Sequence, residues 1–316
     1  MDCNKIKLSV IIPCLNAAST LGVQLEALAA QEWSEPWELI ISDNGSTDDS
    51  IEIARDFRQR FQSFRIVDAS DRRGSPHAVN VGVRHAISEN LAVCDADDEV
   101  QPGWVAAMGQ ALTQHNIVCG QFKFDKFNEP FLAEQSAMAW KDGLFKGRFL
   151  PGGGSGNYGI RKWLHDTIGG FDERLLHAYD ADYFWRLQLE GFNLHFLPDA
   201  VIQVRIARVN PTFSLLYRRG KNRAASNYWC YKRYRHLGML PPPPLKKSLS
   251  TWLPLLKRMP RVIFQNKKKR HDWLLQFARE TGTVVGQIHG RLANPFKPYQ
   301  PGRLKCSRQM EPGNSH

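Results

Sequence analysis

Residues 39–48 read LIISDNGSTD, an apolar run that ends in a polar turn. The run predicts a buried strand from Glu38 to Ser42. From Thr47 the apolar residues take helical spacing, which predicts a helix as far as Phe61. The turn therefore joins a strand to a helix N-terminus, where backbone N–H groups face an incoming anion.

The same strand–helix unit recurs on both sides of this stretch. Further strands are predicted at 8–12, 64–68 and 91–94, and further helices at 19–30 and 75–88. Strands that alternate with helices at this spacing predict an α/β fold with a mostly parallel, Rossmann-like sheet. In such sheets the ligand binds beyond the carboxyl ends of the strands, so the polar residues after each strand are the candidate site.

The pattern loosens after Pro102. It predicts a strand at 117–127, helices at 161–168 and 180–190, and late strands at 195–197 and 201–204. The glycine-rich loop at 151–156 has three open interpretations: close approach of a substrate, a lid, or a plain connection. We expect a domain at 1–210, a basic helical extension at 211–292 with an interrupting Pro254 and Pro260, and a disordered tail at 293–316.

Charge is distributed unevenly along the chain. From Arg205 onward there are 24 Lys/Arg against three Asp/Glu, and the residues before it carry 18 against 28. An acidic body is typical of carboxylates gathered around a cation, and a basic tail is typical of proteins that contact anionic surfaces.

The cysteines and the N-terminus bear on the compartment. The six cysteines are scattered without a Cys-x-x-Cys pair, which indicates reduced thiols and no zinc site. Neither a signal-peptide apolar region nor an apolar run long enough to span a membrane is present in the sequence. We expect a cytoplasmic protein, peripheral at the inner face of the cell membrane if its tail binds lipid.

Two acidic motifs follow predicted strands. Asp95 and Asp97 come directly after the strand at 91–94, and in extended geometry residues two apart face the same way and can share Mg²⁺ or Mn²⁺. The alternative is an acidic surface turn. Asp43, in the first turn quoted, is suited to a nucleotide, and the alternative there is an ordinary helix cap.

Together these motifs resemble the inverting family 2 glycosyltransferases with the GT-A fold, over most of residues 7–205. The matching residues, in order, are Ser9 to Pro13 with Asn16, Asp43 to Asp48, Asn80 with Gly82, Asp95 to Asp98 with Pro102, Gly169 to Glu173, Asp180 to Asp182 with Arg186, and Pro198 to Val201. The resemblance implies a transferase that takes a sugar from a UDP-, GDP- or dTDP-linked donor to a glycan or lipid-linked acceptor.

The resemblance also implies roles for single residues. The donor site would comprise Pro13, Asn16, Asp43, Asn44 and Asp95. Asp97, with Asp95 directly or through a water, would bind the metal. Asp180 would be the catalytic base; the alternative is a helix cap, with Asp182 merely solvated.

Several positions depart from the family pattern. Tyr179 stands where a Glu is usual, Val79 where an Arg is common, and the strand at 201–205 lacks a His that often binds the metal. Arg205 and Arg208 resemble an Arg-rich version of this strand, and would either pair with the donor diphosphate or line a basic surface.

The basic tail leaves alternatives open. Apolar residues between 252 and 264 alternate with cations, which predicts either contact with an anionic membrane or a helix packed on the body. A nucleic-acid binder would also carry such a tail with interleaved tyrosines, but the acidic body argues against it. A non-catalytic nucleotide-sugar binding protein is the remaining alternative.

Overall fold

A computed structural model describes residues 5–206, 212–262 and 264–302. These residues form two compact units: the first takes in 5–174, 179–206 and 301–302, and the second takes in 175–178, 212–262 and 264–300. The predicted boundary at Asn210, the side chain of Arg208 and the tail at 303–316 lie outside the described residues. The division into three domains stays a prediction.

The first unit contains an eight-stranded sheet. Its strands are β1 (Leu8–Cys14), β2 (Trp37–Asp43), β3 (Phe64–Asp68), β4 (Asn90–Cys94), β5 (Glu99–Val100), β6 (Ile117–Lys123), β7 (Asn157–Arg161) and β8 (His195–Gln203). They lie in the order β3-β2-β1-β4-β7-β6-β8-β5. The neighbours β3, β2, β1 and β4 pair in parallel, and so do β6 and β8. β7 is antiparallel to both β4 and β6, and β5 is antiparallel to β8. The predicted α/β class with a mostly parallel sheet is confirmed.

Helices cover both faces of this sheet. They are α1 (Leu21–Ala29), α2 (Ser50–Asp56), α3 (Ser75–His85), α4 (Trp104–Ala111), α5 (Pro130–Ala139), α6 (Lys162–Ile168) and α7 (Tyr179–Leu189). Successive strand residues alternate between two apolar cores: Ile12 packs with α1 and α4, and Ile11 packs with α3, α6 and α7. Both faces of the central strands are therefore buried, which explains their unbroken apolar runs.

Several elements differ from the prediction. β5, β7, α4 and α5 were not predicted, and Arg161, the last residue of β7, was expected to begin a helix. The two predicted late strands form one strand, β8, with an irregularity after Gly120 where residues 198–200 drop out of register with β6. Pro198 has no N–H to donate to a ladder, which accounts for the apparent gap.

The second unit is built from three helices: α8 (Phe213–Tyr234), α9 (Leu245–Val262) and α10 (Lys267–Leu292). α8 and α10 approach closely, because a Cβ added at Gly282 would lie 2.1 Å from the Tyr217 carbonyl oxygen. The predicted interruption of α9 is wrong: the helix runs through Pro254 and Pro260. Both prolines are exposed, and burial of Leu255 and Val262 holds the helix despite the lost hydrogen bonds.

The start of the predicted disordered tail is packed. Phe296 is buried, and the backbone N–H of Tyr299 donates to the Arg233 carbonyl oxygen at 3.0 Å. Among the helices in the described ranges, none has the combination of length and apolarity needed to cross a bilayer.

Candidate active site

An acidic turn follows β4. β4 ends at Cys94 and β5 begins at Glu99, and the carboxylates of Asp95, Asp97 and Asp98 have oxygens within 4.8 Å of one another. Asp95 and Asp97 do lie together as the sequence suggests, but the extended geometry assumed for them is wrong. A turn brings them together, and it adds Asp98 as a third carboxylate.

Burial makes this cluster electrostatically costly. Burial, then the charges of Asp97 and Asp180, raise the pKa of Asp95 from 3.8 to about 7. Burial and the charge of Asp95 likewise raise the pKa of Asp98 to about 8, although the Arg205 backbone N–H opposes the shift. A cation bound among these oxygens would remove the repulsion that raises both values.

The turn is held from α1 by a buried glutamine. The Gln24 side-chain amide donates to the Asp95 carbonyl oxygen at 3.0 Å and accepts from the Val100 N–H at 2.9 Å. The two ends of the turn are thereby fixed to one side chain. Nothing in the local pattern marks Gln24, which occupies a helix position that periodicity assigns to the core.

The glycine-rich loop packs against the same turn. A Cβ at Gly156 would lie 2.4 Å from a carboxylate oxygen of Asp95, and a Cβ at Gly153 would lie 2.6 Å from the Cys119 sulfur. Three interpretations were left open for this loop: close approach of a substrate, a lid, or a plain connection. These glycines do allow a close approach, but the groups that approach them are the protein's own side chains.

Asp180 lies in the first turn of α7, in the first unit with the acidic turn. Burial raises its pKa, an effect opposed by the Ala181 N–H, which donates to its carboxylate at 2.8 Å. The charge of Asp180 is in turn one of the causes that raise the pKa of Asp95. The fold thus brings Asp180 within electrostatic range of residues far away in sequence.

The neighbours of Asp180 have structural roles. The hydroxyl of Tyr179, which stands in the usual Glu position, lies 3.2 Å from the Ser155 hydroxyl and so connects α7 to the glycine-rich loop. Asp182 is not solvated: it is fully buried, and Arg186 donates to its carboxylate at 2.8 Å. Arg186 also donates to the Ile168 and Gly170 carbonyl oxygens, which anchors α7.

Asp43 ends β2 beside the first loop. Its carboxylate accepts from the Ser46 N–H at 3.0 Å, and Gly45 between them has φ of +84°, a left-handed conformation that favours glycine. Asp43 also lines a groove of about 580 Å³ between α2 and β3.

Two other predicted donor residues shape the first loop. Pro13 lies near the end of β1, paired in register with Ser42. Asn16 has a left-handed φ of +50°, which Asn tolerates, and its side-chain oxygen accepts from the Thr47 N–H at 2.7 Å. Asn16 therefore joins the loop after β1 to the turn after β2.

Asn44 is almost fully buried and positions a neighbouring loop. Its amide donates to the Ala69 and Arg72 carbonyl oxygens at 2.6 and 2.7 Å and accepts from the Gly74 N–H at 2.7 Å. All of these bonds serve the segment between β3 and α3, so the structure gives Asn44 a positioning role.

Sequence reasoning missed the part played by Asp98. The Arg205 N–H donates to the Asp98 carboxylate at 2.9 Å, and the Arg205 guanidinium stacks on Phe127, 3.5 Å from the ring centroid. The two roles predicted for the Arg205 side chain, pairing with the donor diphosphate or lining a basic surface, stay predictions. The signal for Asp98 was its place directly after Asp97. In an extended chain adjacent side chains point in opposite directions, so the assumption of extended geometry excluded Asp98 from the cluster.

The donor set fits a hard divalent cation. Three carboxylates converge, and oxygen is the ligand that Mg²⁺ and Mn²⁺ prefer. Burial and like charge raise the pKa values of Asp95 and Asp98, and a bound cation would lower both. Cys94, the nearest thiol in sequence, is buried with its pKa well above the usual range, so it does not compete as a ligand.

The family model described as Glycosyl transferase family 2 matches residues 9–172. Among curated relatives, the glycosyltransferase AglE of Haloferax volcanii is 26% identical over 200 residues, which cover 61% of this chain and 65% of AglE. The uncharacterized glycosyltransferase YibD of Escherichia coli is 40% identical over 96 residues, which cover 30% of this chain and 27% of YibD. The chain thus spans less than two thirds of either relative.

Solved structures share the fold. The mannosyltransferase PcManGT of Pyrobaculum calidifontis, solved in complex with GDP-Man and Mn²⁺, superposes with a TM-score of 0.56 at 17% identity, covering 91% of this chain and 90% of that chain. At this identity the likeness is one of architecture, and it confirms the GT-A fold.

Proposed function

Because this chain belongs to glycosyl transferase family 2, we propose that it transfers a sugar with inversion from a nucleotide diphosphate to a hydroxyl of a glycan or lipid-linked acceptor. The family supports activity as a glycosyltransferase. The transfer itself, the metal, the general base and the inversion all belong to the proposal.

One observation carries the proposal: an acidic turn with a buried Asp98 and a separate, half-buried carboxylate act on each other electrostatically. Asp95, Asp97 and Asp98 supply the turn, and Asp180 supplies the second carboxylate from α7. A structural role alone would not favour four acidic groups in one place, because desolvated like charges destabilise a fold. Their cost is explained if the site receives a cation and a reacting hydroxyl.

Asp97 and Asp95 would hold Mg²⁺ or Mn²⁺, with Asp98 supporting the turn through Arg205. When bound, such an ion supplies Lewis-acid neutralisation of the leaving diphosphate. Asp43, at the wall of the groove between α2 and β3, would accept a hydrogen bond from the donor base, and Pro13 and Asn16 would shape the pocket through the loop beside it.

Asp180 would accept the proton of the acceptor hydroxyl. As the acceptor oxygen forms its bond to the anomeric carbon, the bond from that carbon to the diphosphate oxygen breaks, and the nucleoside diphosphate leaves with the bonding electrons. A single in-line displacement inverts the configuration. The raised pKa of Asp180 makes its ionised form a stronger base than an exposed aspartate.

A donor panel tests the binding part of this proposal. Thermal unfolding of the full chain is measured with UDP-, GDP- and dTDP-sugars, each with Mn²⁺, with Mg²⁺ and with chelator. We expect stabilisation by donors of one base only, and only with metal, since a ligand that binds the folded state raises the melting temperature. Absence of any response across the panel would contradict the proposal.

Two further measurements, release of nucleoside diphosphate from the donor and binding to RNA, separate the alternatives. A protein that binds a donor under all conditions but never releases nucleoside diphosphate would be a non-catalytic binding protein. Salt-sensitive binding to RNA with no response to any donor would indicate a nucleic-acid binder instead.

A further inference from the structure

The second unit carries an exposed surface that is both apolar and cationic. Leu253, Leu256 and Met259 follow one another at three-residue spacing on α9, and all three are exposed. Phe264, just beyond the end of α9, is 91% exposed. We call these four residues the apolar ridge.

The apolar ridge is separate from the face that α9 buries. The buried residues of α9 are Ser248, Leu255 and Val262, which recur every seven positions and form one stripe. Residues of the ridge lie outside that stripe and are left uncovered within the described part of the chain. The packing of the second unit therefore does not account for them.

Cations surround the ridge without acidic partners. Residues 245–270 contain nine Lys/Arg and no Asp/Glu. Four of these cations, Lys267 to Arg270, are consecutive and exposed at the start of α10. Across the described ranges, none of the nine makes an ion pair.

The position of the run at 267–270 is itself unfavourable for folding. The N-terminus of a helix carries partial positive charge, so four cations there destabilise α10. Asn266 caps this end, its side chain accepting from the Lys269 N–H at 2.9 Å. A run that opposes helix formation and makes no ion pair with any described residue is explained by a partner outside the fold.

We propose that the apolar ridge and its cations bind the surface of an anionic phospholipid membrane. The leucines, Met259 and Phe264 would enter the boundary between headgroups and acyl chains, and the cations would contact lipid phosphates. A polyanion such as RNA would satisfy the cations but leave an exposed apolar ridge in water. A second copy of the chain would place nine cations against nine, which argues against self-association through this surface.

The experiment is co-sedimentation of the full-length chain with vesicles of phosphatidylcholine, alone or mixed with phosphatidylglycerol. We expect binding only to the mixed vesicles, and weaker binding as salt rises. Each cation near an anionic surface contributes about fivefold to partitioning. The variant with Lys267, Lys268, Lys269 and Arg270 changed to Gln should bind at least about tenfold more weakly.

A second variant, Leu253→Ser with Phe264→Ser, tests the ridge and should also bind at least about tenfold more weakly. Two matched controls carry equal changes elsewhere on exposed positions. The charge control changes Lys5, Lys7, Arg84 and Lys141 to Gln, and the apolar control combines Ile87→Ser with Leu292→Ser. Both controls should bind as the unmodified chain does, and no variant should unfold at a lower temperature than the unmodified chain.

Three results would overturn the proposal. The first is no sedimentation with mixed vesicles. The second is that the Leu253→Ser, Phe264→Ser variant binds the mixed vesicles as well as the unmodified chain does and that the chain also binds RNA. That result would make the surface a polyanion site. The third is that the unmodified chain self-associates and that, among the variants, only Leu253→Ser with Phe264→Ser converts it to monomer. That result would make the surface an interface between copies of the chain.

Discussion

At the scale of the residue, Asp98 has a direct consequence for stability. Its pKa in the folded chain is raised from 3.8 to about 8, so folding favours the neutral carboxyl group. This contribution is fully present at pH below the ordinary pKa and is lost as pH rises towards 8. Without metal, the ionised form at alkaline pH is a buried charge that the fold accommodates poorly.

We therefore expect Asp98→Asn to stabilise the metal-free protein at alkaline pH. The melting temperature in chelator at pH 8.5 should rise by about 2 °C or more, with a smaller rise at pH 5, where the ordinary pKa of 3.8 has only just been passed. The Arg205 N–H keeps an acceptor in the Asn side chain. The melting temperature is measured by thermal unfolding at the two pH values. Asp142→Asn, which changes an exposed carboxylate, is the control. An equal change in melting temperature at both pH values would show that the pKa of Asp98 is not raised in the folded chain.

Gly156 gives a second prediction at this scale. Gly156→Ala places a Cβ where an Asp95 oxygen lies, so the carboxylate must move. We expect metal-dependent donor binding to weaken by about tenfold, on the order of 1.4 kcal/mol. Gly152→Ala is the matched control, because its added Cβ meets nothing nearer than 4.0 Å, at Phe184. Equal effects of the two substitutions on the affinity measured by titration would refute the assignment.

At the scale of the element, the acidic turn depends on α1. Gln24→Leu leaves the Val100 N–H and the Asp95 carbonyl oxygen without their partner in a buried place. We expect a loss of about 2–4 kcal/mol in the free energy of unfolding, with weaker metal binding. Urea denaturation measures the loss, and Gln59→Leu at an exposed position is the control. A change below about 0.5 kcal/mol would mean that water replaces both bonds.

The strands and helices around the site were predictable to different degrees. β1 to β4 were recoverable because unbroken apolar runs and the helical spacing of Leu21, Leu25 and Leu28 are local signals. β7 was not, because five residues after a glycine-rich loop show no periodicity that separates a strand from the start of a helix. α9 was misread because burial at seven-residue spacing outweighs two prolines, a tertiary effect that local rules do not contain.

At the scale of the whole molecule, the site is a product of topology. Asp43 and Asp95 follow β2 and β4, which lie on either side of β1, so the carboxyl ends of parallel strands gather them. That grouping was predictable from the alternation of strands and helices. The place of Asp180 was predictable only from the family resemblance, since no local pattern connects α7 to the acidic turn.

The charge asymmetry of the chain was also visible in sequence, but its meaning depended on exposure. The acidic excess before Arg205 contains the acidic turn, where burial and like charge raise the pKa values of Asp95 and Asp98. The basic excess after it contains the unpaired run at 267–270 beside the apolar ridge. Composition suggested a cation and an anionic surface as partners, and both remain proposals.

The central claim is that one donor site and one base act together, and release of nucleoside diphosphate from the stabilising donor tests it. We expect release by the unmodified chain with metal, loss of both release and metal-dependent stabilisation in Asp97→Asn, and release slowed by about 10² or more in Asp180→Asn with stabilisation retained. Release by Asp180→Asn at the rate of the unmodified chain would contradict the account.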